Sequence, residues 1–444
     1  MILSKVDESI EIGGKQYNLY TNIGKNYIAK GYEYQTSFEK EEIPTLKYKI
    51  SDVEITKQIC MKYGENTVGI LYKIKNGKQP TKLTLAPLMN FRDFHSMSTN
   101  HEFKIRQENK GTKLKVIIDN MIQNSIYIKV SEGIYIPHNN DIFRNMFYIE
   151  EQKRGFYPEE NHAVVGRYEI EIKPNEEKEI SFVCSLEENI DELDVKKLII
   201  KEKQRISKIL EKTEIDFSEK QDKTEDEEKR QELIKNLVIS ADTFIAYRPS
   251  FRLHTIIAGY PWFLDWGRDS LISFEGLLLK TKRYDIAKEV LKTMMRDIKY
   301  GLVPNGYSGF DNRPLYNSVD ASLLLFEQIQ KYLEYTKDQE FIKEIFEKLE
   351  IIIENYKKGI DIDNNNIYLD TDHLIVSGTE NTQNTWMDAK VDGVAVTPRN
   401  GKAVEINSMW YNSLKIMENI CKELRRKQKS KKICRTSKTN KKFF

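Results

Sequence analysis

Three short stretches of this 444-residue chain gather the residue types that can do chemistry together. Gly259-Tyr-Pro-Trp-Phe-Leu-Asp-Trp-Gly-Arg-Asp269 holds Trp262, Asp265, Trp266, Arg268 and Asp269. Thr385-Trp-Met-Asp-Ala389 holds Trp386 and Asp388, and Val404-Glu-Ile-Asn-Ser-Met-Trp-Tyr-Asn412 holds Glu405 and Trp410. All four tryptophans of the chain fall in these stretches. Aromatic faces beside carboxylates suit a sugar: the ring packs on C–H faces while acids and arginine take the hydroxyls. The plainer alternative is that the tryptophans fill a helical core. Asp265, Arg268, Asp269 and Asp388 speak against it, because charged groups do not sit in cores without partners.

These residues need elements to hold them. Residues 1 to about 190 alternate with period two: Leu46, Tyr48 and Ile50; Val68, Ile70, Tyr72 and Ile74; Ile126, Ile128 and Val130; Tyr168, Ile170 and Ile172; Ile180, Phe182 and Cys184. Such runs predict half-buried antiparallel strands, and many of them without intervening helices predict a β-sandwich. The period then changes. Leu233, Ile234, Leu237, Val238, Ala241, Phe244 and Ile245 fall on one helical stripe, as do Ile286, Ala287, Val290, Leu291, Met294, Met295 and Ile298. Helical patterns also cover about 270–281, 318–335, 338–358 and 404–424, making six helices. The chain therefore divides into a β-sandwich domain at 1–190, a charged helical linker at 191–225, a helical domain at 226–424 and a basic tail at 425–444.

Composition narrows the class. Hydrophobic residues are 39% and charged residues 31%, so real cores can form. No run of eighteen apolar residues predicts a membrane helix, and the start lacks a signal layout, so the chain reads as cytoplasmic with no membrane partner. The net charge of +2 hides ten basic and no acidic residues in 425–442, leaving a mildly acidic body that gives no reason to expect nucleic acid. The four cysteines and six histidines show no metal spacing, so no metal and no cofactor is expected. Oligomeric state is not legible.

Together with Thr397-Pro-Arg-Asn-Gly-Lys-Ala-Val-Glu405, the first two stretches resemble the amylo-α-1,6-glucosidase domain of prokaryotic-type glycogen debranching enzymes. Pro87-Leu-Met-Asn-Phe-Arg-Asp-Phe-His95 and Tyr148-Ile-Glu-Glu-Gln-Lys-Arg-Gly155 resemble motifs of that family's N-terminal β-domain. The resemblance covers about residues 1–420. It implies a multidomain protein: an antiparallel β-sandwich followed by an all-α (α/α)6 toroid, and inverting hydrolysis of α-1,6-linked glucose stubs on an α-glucan such as glycogen. Asp388 matches the general acid, and burial against Trp386 would push its carboxyl up as that role needs. Arg268 and Asp269 match the grip on the terminal glucose. Trp262, Asp265, Trp266, Trp386 and Glu405 are the further expected sugar-binding residues. Glu405 reads equally well as an acid favoured at a helix start.

Three departures accompany the resemblance. The glycine-rich opening and the Asn-Thr-Arg-like stretch expected ahead of Leu3-Ser-Lys-Val-Asp7 are not in the sequence. Six helices are half of a twelve-helix toroid, which puts Phe244, Leu278, Met294, Leu324, Ile352 and Met409 at risk of exposure. The second carboxylate of an inverting pair is expected late in such a domain, beyond the last residue of this chain. The tail after Leu424 loses all apolar period and reads as a change of reading frame. The expectations are thus a chain truncated at both ends and without activity by itself. The competing readings are a glucoamylase-like or trehalase-like enzyme, or a non-catalytic carbohydrate-binding fragment.

Overall fold

The structure, a computed structural model, describes residues 1–24, 26–93, 96–99, 102–119, 124–213, 224–260, 263–308, 312–362 and 364–426. It forms two compact units, residues 1–208 and 209–444. Most of the basic tail, with its reading-frame expectation, lies outside the described residues.

In the first unit, β1 (Leu3–Ile12) and β2 (Lys15–Asn18) form a hairpin, β3 (Thr21–Gly24) and β4 (Tyr27–Lys30) another. There follow β5 (Gln35–Lys40), β6 (Pro44–Ile50), β7 (Val53–Met61), β8 (Thr67–Lys75) and β9 (Thr81–Met89). Next come β10 (Ile105–Lys110), β11 (Lys113–Ile118), β12 (Ile126–Val130) and β13 (Ile134–Phe147). A one-turn helix α1 (Ile149–Lys153) precedes β14 (Glu159–Ile172) and β15 (Glu177–Ser185). One sheet runs β13-β14-β9-β1-β2 and the other β10-β11-β12-β15-β8-β7-β6-β5, with the neighbours antiparallel. The period-two residues do what their alternation predicts: Ile70, Tyr72, Ile74, Ile128, Tyr168 and Phe182 share one core between the sheets.

The linker expectation at 191–225 needs correcting. Helix α2 (Val195–Lys212) fills much of it and packs on the first unit rather than tethering. Val195, Leu198 and Ile199 cover the outer face of the larger sheet with Ile43, Leu71, Tyr127 and Val183. Gly69 permits that approach, since a Cβ there would meet Val195 at 3.1 Å.

The two N-domain motifs meet inside this unit. Glu160, fully buried, accepts from Arg92, from the Ser98 amide at 2.9 Å and from the Tyr148 hydroxyl at 2.9 Å. Burial works against its charge, but these donors hold its carboxyl below the usual range. Phe94 and His95 of the same motif lie outside the described residues. His162 lies beside Glu160, with Nε2 3.1 Å from Ser4 Oγ and 3.6 Å from Glu160. Both contacts use one nitrogen, so the trio is not a proton relay, which needs both ring nitrogens.

The second unit contains α3 (Glu225–Thr243), then β16 (Ile245–Arg248) paired with β17 (Leu253–Ile256). Helix α4 (Gly267–Phe274) continues as a π-helical turn, Glu275–Leu279. After it come α5 (Tyr284–Arg296), α6 (Ala321–Thr336), α7 (Gln339–Lys358) and α8 (Val404–Glu423). Alternate helices α4, α6 and α8 pack in sequence, while α5 and α7 lie against α6. This alternation forms a double layer around one apolar core. Leu278, Met294, Leu324 and Ile352, expected at risk of exposure, are all buried, and Phe244 and Met409 are partly so. Exposed apolar positions on the helices include Leu233 and Leu237 on α3, Ile272 on α4 and Ile351 on α7, and the stripe of α3 buries only Val238 and Ala241. Ile245, placed on that stripe by its period, begins β16 after α3 has ended. No helix of the described residues is long and apolar enough to cross a membrane.

Desolvation holds the buried His162 down to about 4, with Glu160 opposing and Arg92 and Lys5 assisting. The unfolded chain, with histidine near 6.5, therefore binds the proton more readily than the folded one. Stability is intact above pH 6.5 and falls as pH drops toward 4, by up to about 3 kcal/mol. Hydrogen-exchange protection of the β14 amides, taken relative to the intrinsic rate at each pH, should fall over that window in the native protein. It should respond much less to pH in His162→Gln; equal slopes would contradict this account.

Candidate active site

The start of α4 is built around a close backbone approach. Trp266 is extended just before the helix, and the Gly267 amide donates to the Asn305 carbonyl at 2.8 Å. A Cβ on Gly267 would come within 2.6 Å of the Pro304 carbonyl oxygen, so only glycine fits between Trp266 and Arg268. The next two side chains then emerge from the first turn. Arg268 is 8% exposed, and its Nε donates to Asp320 at 2.6 Å, just ahead of α6. Its Nη1 donates to Asp388 at 3.0 Å, while Nη2 is buried with no hydrogen-bond partner among the described residues. Ser318 donates to the other oxygen of Asp320. A buried guanidinium needs this pairing, because an isolated charge in such a place is strongly unfavourable.

Asp388 comes from residues 377–401, a long excursion within the connection between α7 and α8. Ser377 and Gly401 exchange two backbone hydrogen bonds of 3.0 and 2.8 Å, clasping its two ends together. Inside, the Val319 amide donates to the Asn384 carbonyl at 2.8 Å, and Asn384 Nδ2 donates to the Asn365 carbonyl at 3.1 Å. These bonds fix Trp386 and Asp388 opposite the first turn of α4.

The result is an open pocket of about 820 Å³ lined by Trp266, Arg268, Asp269, Trp386 and Asp388. Phe263, Asn317, Asn365, Thr382, Gln383 and Lys390 complete much of the wall. Phe263 and Trp386 are each more than half exposed, unusual for large aromatic side chains. Sequence reasoning thus names five of the residues brought together here. It does not place Asn317, Asn365, Thr382, Gln383 or Lys390, whose polar types are unremarkable in loops. Nor does it find Asp320, whose only signal is an acid ahead of a strongly apolar helix.

Other expected site residues lie elsewhere. Asp265 is 3% exposed and bound by Arg248 at 2.7 Å and Thr255 at 3.0 Å, and it does not line the pocket. Desolvation raises its carboxyl, against the pull of Arg248 and Thr255. Glu405, in the first turn of α8, accepts from Arg399 and is also not part of the lining. Trp410 is fully buried, stacked on Tyr356 at 5.9 Å, so it is core. Trp262 lies outside the described residues.

The two pocket carboxyls differ from the expected pattern. Asp388 is not enclosed by Trp386: its side chain is 47% exposed and takes the Arg268 hydrogen bond. Asp269 opens onto the pocket, yet desolvation by the surrounding walls raises its carboxyl above the usual range. A backbone hydrogen bond and Arg268 oppose that shift, and the charges of Asp388 and Asp320 add to it.

Comparison with known proteins gives two family matches. Residues 239–443 match the family model for amylo-alpha-1,6-glucosidase, and residues 1–179 match that for the glycogen debranching enzyme N terminal domain. The first match extends across the basic tail. A glycogen debranching enzyme of Saccharomyces cerevisiae is 26% identical over 226 residues, covering 38% of this chain and 15% of the yeast protein. A bacterial glucoamylase solved with acarbose superposes with a TM-score of 0.59 at 12% identity, over 99% of this chain and 61% of that one. A candidate kojibiose phosphorylase from the human microbiome gives 0.54 at 11%, over 98% and 58%. The architecture is thus shared with solved proteins of which this chain spans about three-fifths.

Truncating Asp320 should be the costly change here, since it strands the Arg268 charge. Asp320→Ala is expected to lose about 3–5 kcal/mol of stability. Asp388→Asn, at a half-exposed partner, should lose less than about 1 kcal/mol. Denaturant unfolding followed by tryptophan fluorescence reads both, and comparable losses would show that Asp320 is not the anchor.

Proposed function

The chain belongs to the glycogen debranching enzyme family, and from that premise we propose that it acts as a glycoside hydrolase on α-1,6-linked glucose stubs of an α-glucan. The observation that carries this reading is one pocket holding two carboxyls, an arginine and open aromatic faces. Trp266 and Trp386 offer surfaces for the C–H faces of a terminal glucose. Arg268, whose Nη2 has no partner among the described residues, offers a charge-assisted bond to a sugar hydroxyl. Asp269 lies beside it on the same turn.

Hydrolysis with inversion needs one carboxylic acid to protonate the leaving oxygen. A carboxylate about 6.5–9.5 Å away, across the sugar, activates water. We assign Asp388 as the acid. Among the described pocket residues, the other carboxyl is Asp269. Because the environment of Asp269 favours its protonated form, a second reading exchanges the roles: Asp269 protonates and Asp388 serves as the base.

Glucosyl fluoride separates the two, because fluoride leaves without being protonated. With Asp388 as the acid, Asp388→Asn should lower glucose release from a phosphorylase limit dextrin by about 10²–10⁴-fold. It should largely spare α-glucosyl fluoride. Loss of both substrates in Asp388→Asn, with fluoride spared in Asp269→Asn, would assign the exchanged roles. Native protein that releases glucose from maltose or trehalose but not from limit dextrin would overturn the α-1,6 reading. Retention of the dextrin without turnover would leave a carbohydrate-binding module.

A further inference from the structure

The motif Thr397-Pro-Arg-Asn-Gly401 ends the excursion that carries Asp388, yet neither Arg399 nor Glu405 lines the pocket. Their geometry gives them another task. Arg399 Nη2 donates to Glu405, and its Nη1 reaches the sulfur of Met387 at 3.8 Å. Met387 stands between Trp386 and Asp388, two of the pocket residues that the excursion contributes. We propose that Arg399 and Glu405 form a strut that positions the Trp386–Asp388 turn, with Arg399 as the positioning residue and Glu405 as its footing on α8.

Each part of the strut has a physical reason. Glu405 lies in the first turn of α8, where the unpaired amides of the helix favour a negative charge. Its side chain is 22% exposed, and its Oε1 is buried with no hydrogen-bond partner among the described residues. Arg399 is therefore the group that neutralises it, and the pair is held as a unit. The forked guanidinium can engage Glu405 with one amine and present the other to the thioether, a weak acceptor. The clasp at Ser377 and Gly401 fixes the ends of the excursion but leaves its middle to other contacts. Arg399 supplies one of them next to the reacting carboxyl. Planar peptide bonds on either side of Met387 pass its placement on to Asp388.

The kinetic part of the test rests on Asp388 being the acid; the structural part does not. Hydrogen exchange of residues 384–391 should accelerate in Glu405→Gln and in Met387→Ala, with exchange in α5 and α7 unchanged. On limit dextrin, Glu405→Gln should lower kcat at least tenfold with KM within twofold, the signature of an interaction felt in the transition state. Turnover of α-glucosyl fluoride, which needs no acid, should fall far less. Arg399→Lys, keeping the charge without the fork, should fall between native and Glu405→Gln. A rise in KM with kcat preserved would put Glu405 on the sugar and overturn the strut. Unchanged exchange and kcat in both Glu405→Gln and Met387→Ala would overturn it equally. If Asp388→Asn spares limit-dextrin hydrolysis, the acid assignment fails, and the exchange measurement alone then decides whether the strut exists.

Discussion

One buried cation organises the helical unit. Arg268 sits in protein of low polarity, where a lone charge is untenable, so the fold must bring a carboxylate to it. Asp320 does so from a position 52 residues away, and Asp388 adds a second bond from 120 residues away. Three segments distant in sequence are thereby fastened at one guanidinium: the start of α4, the approach to α6 and the excursion before α8. Asp320 is buried and also bonded by Ser318, whereas Asp388 is half open. The first contact is thus the anchor and the second is adjustable. A sugar hydroxyl could take the place of Asp388 on Arg268 without disturbing Asp320.

The first unit solves a similar problem with different means. Glu160 is buried, and Arg92, Ser98 and Tyr148 together satisfy it. The segment from Asn90 to Ser98 is thus tied to β14 near both ends. In both units a buried charge fixes the path of a loop that apolar packing would leave free, which is the attested use of such pairs as devices of specificity.

How much of this was legible depends on the range of the interaction. Strand and helix patterns are local, and the alternation of Ile70, Tyr72 and Ile74 or the stripe from Ala287 to Met295 announces the buried faces directly. The five pocket residues were legible because their types cluster in short stretches. What failed was reading partners from periodicity or proximity. Leu233 and Leu237 lie on a good apolar stripe, but a stripe does not say whether a neighbour covers it. Glu405 follows the catalytic-looking motif in sequence, yet its carboxylate turns to Arg399. Asp320 leaves only a weak local trace, an acid ahead of an apolar helix, because its role lies in a contact with Arg268, 52 residues away. The enclosure expected for Asp388 failed for the same reason: Trp386, two residues away, is itself half open.

The clasp between Ser377 and Gly401 has an evolutionary reading. Because the two ends of the excursion already lie side by side, lengthening or shortening it changes the closure entropy only slowly, by roughly 0.6 kcal/mol for each doubling of its length. Residues 378–400 therefore behave as a cassette. Apart from Asn384, which holds Val319 and Asn365, and Trp386 and Asp388 in the pocket, their number and identity can change while α6, α7 and α8 keep their packing.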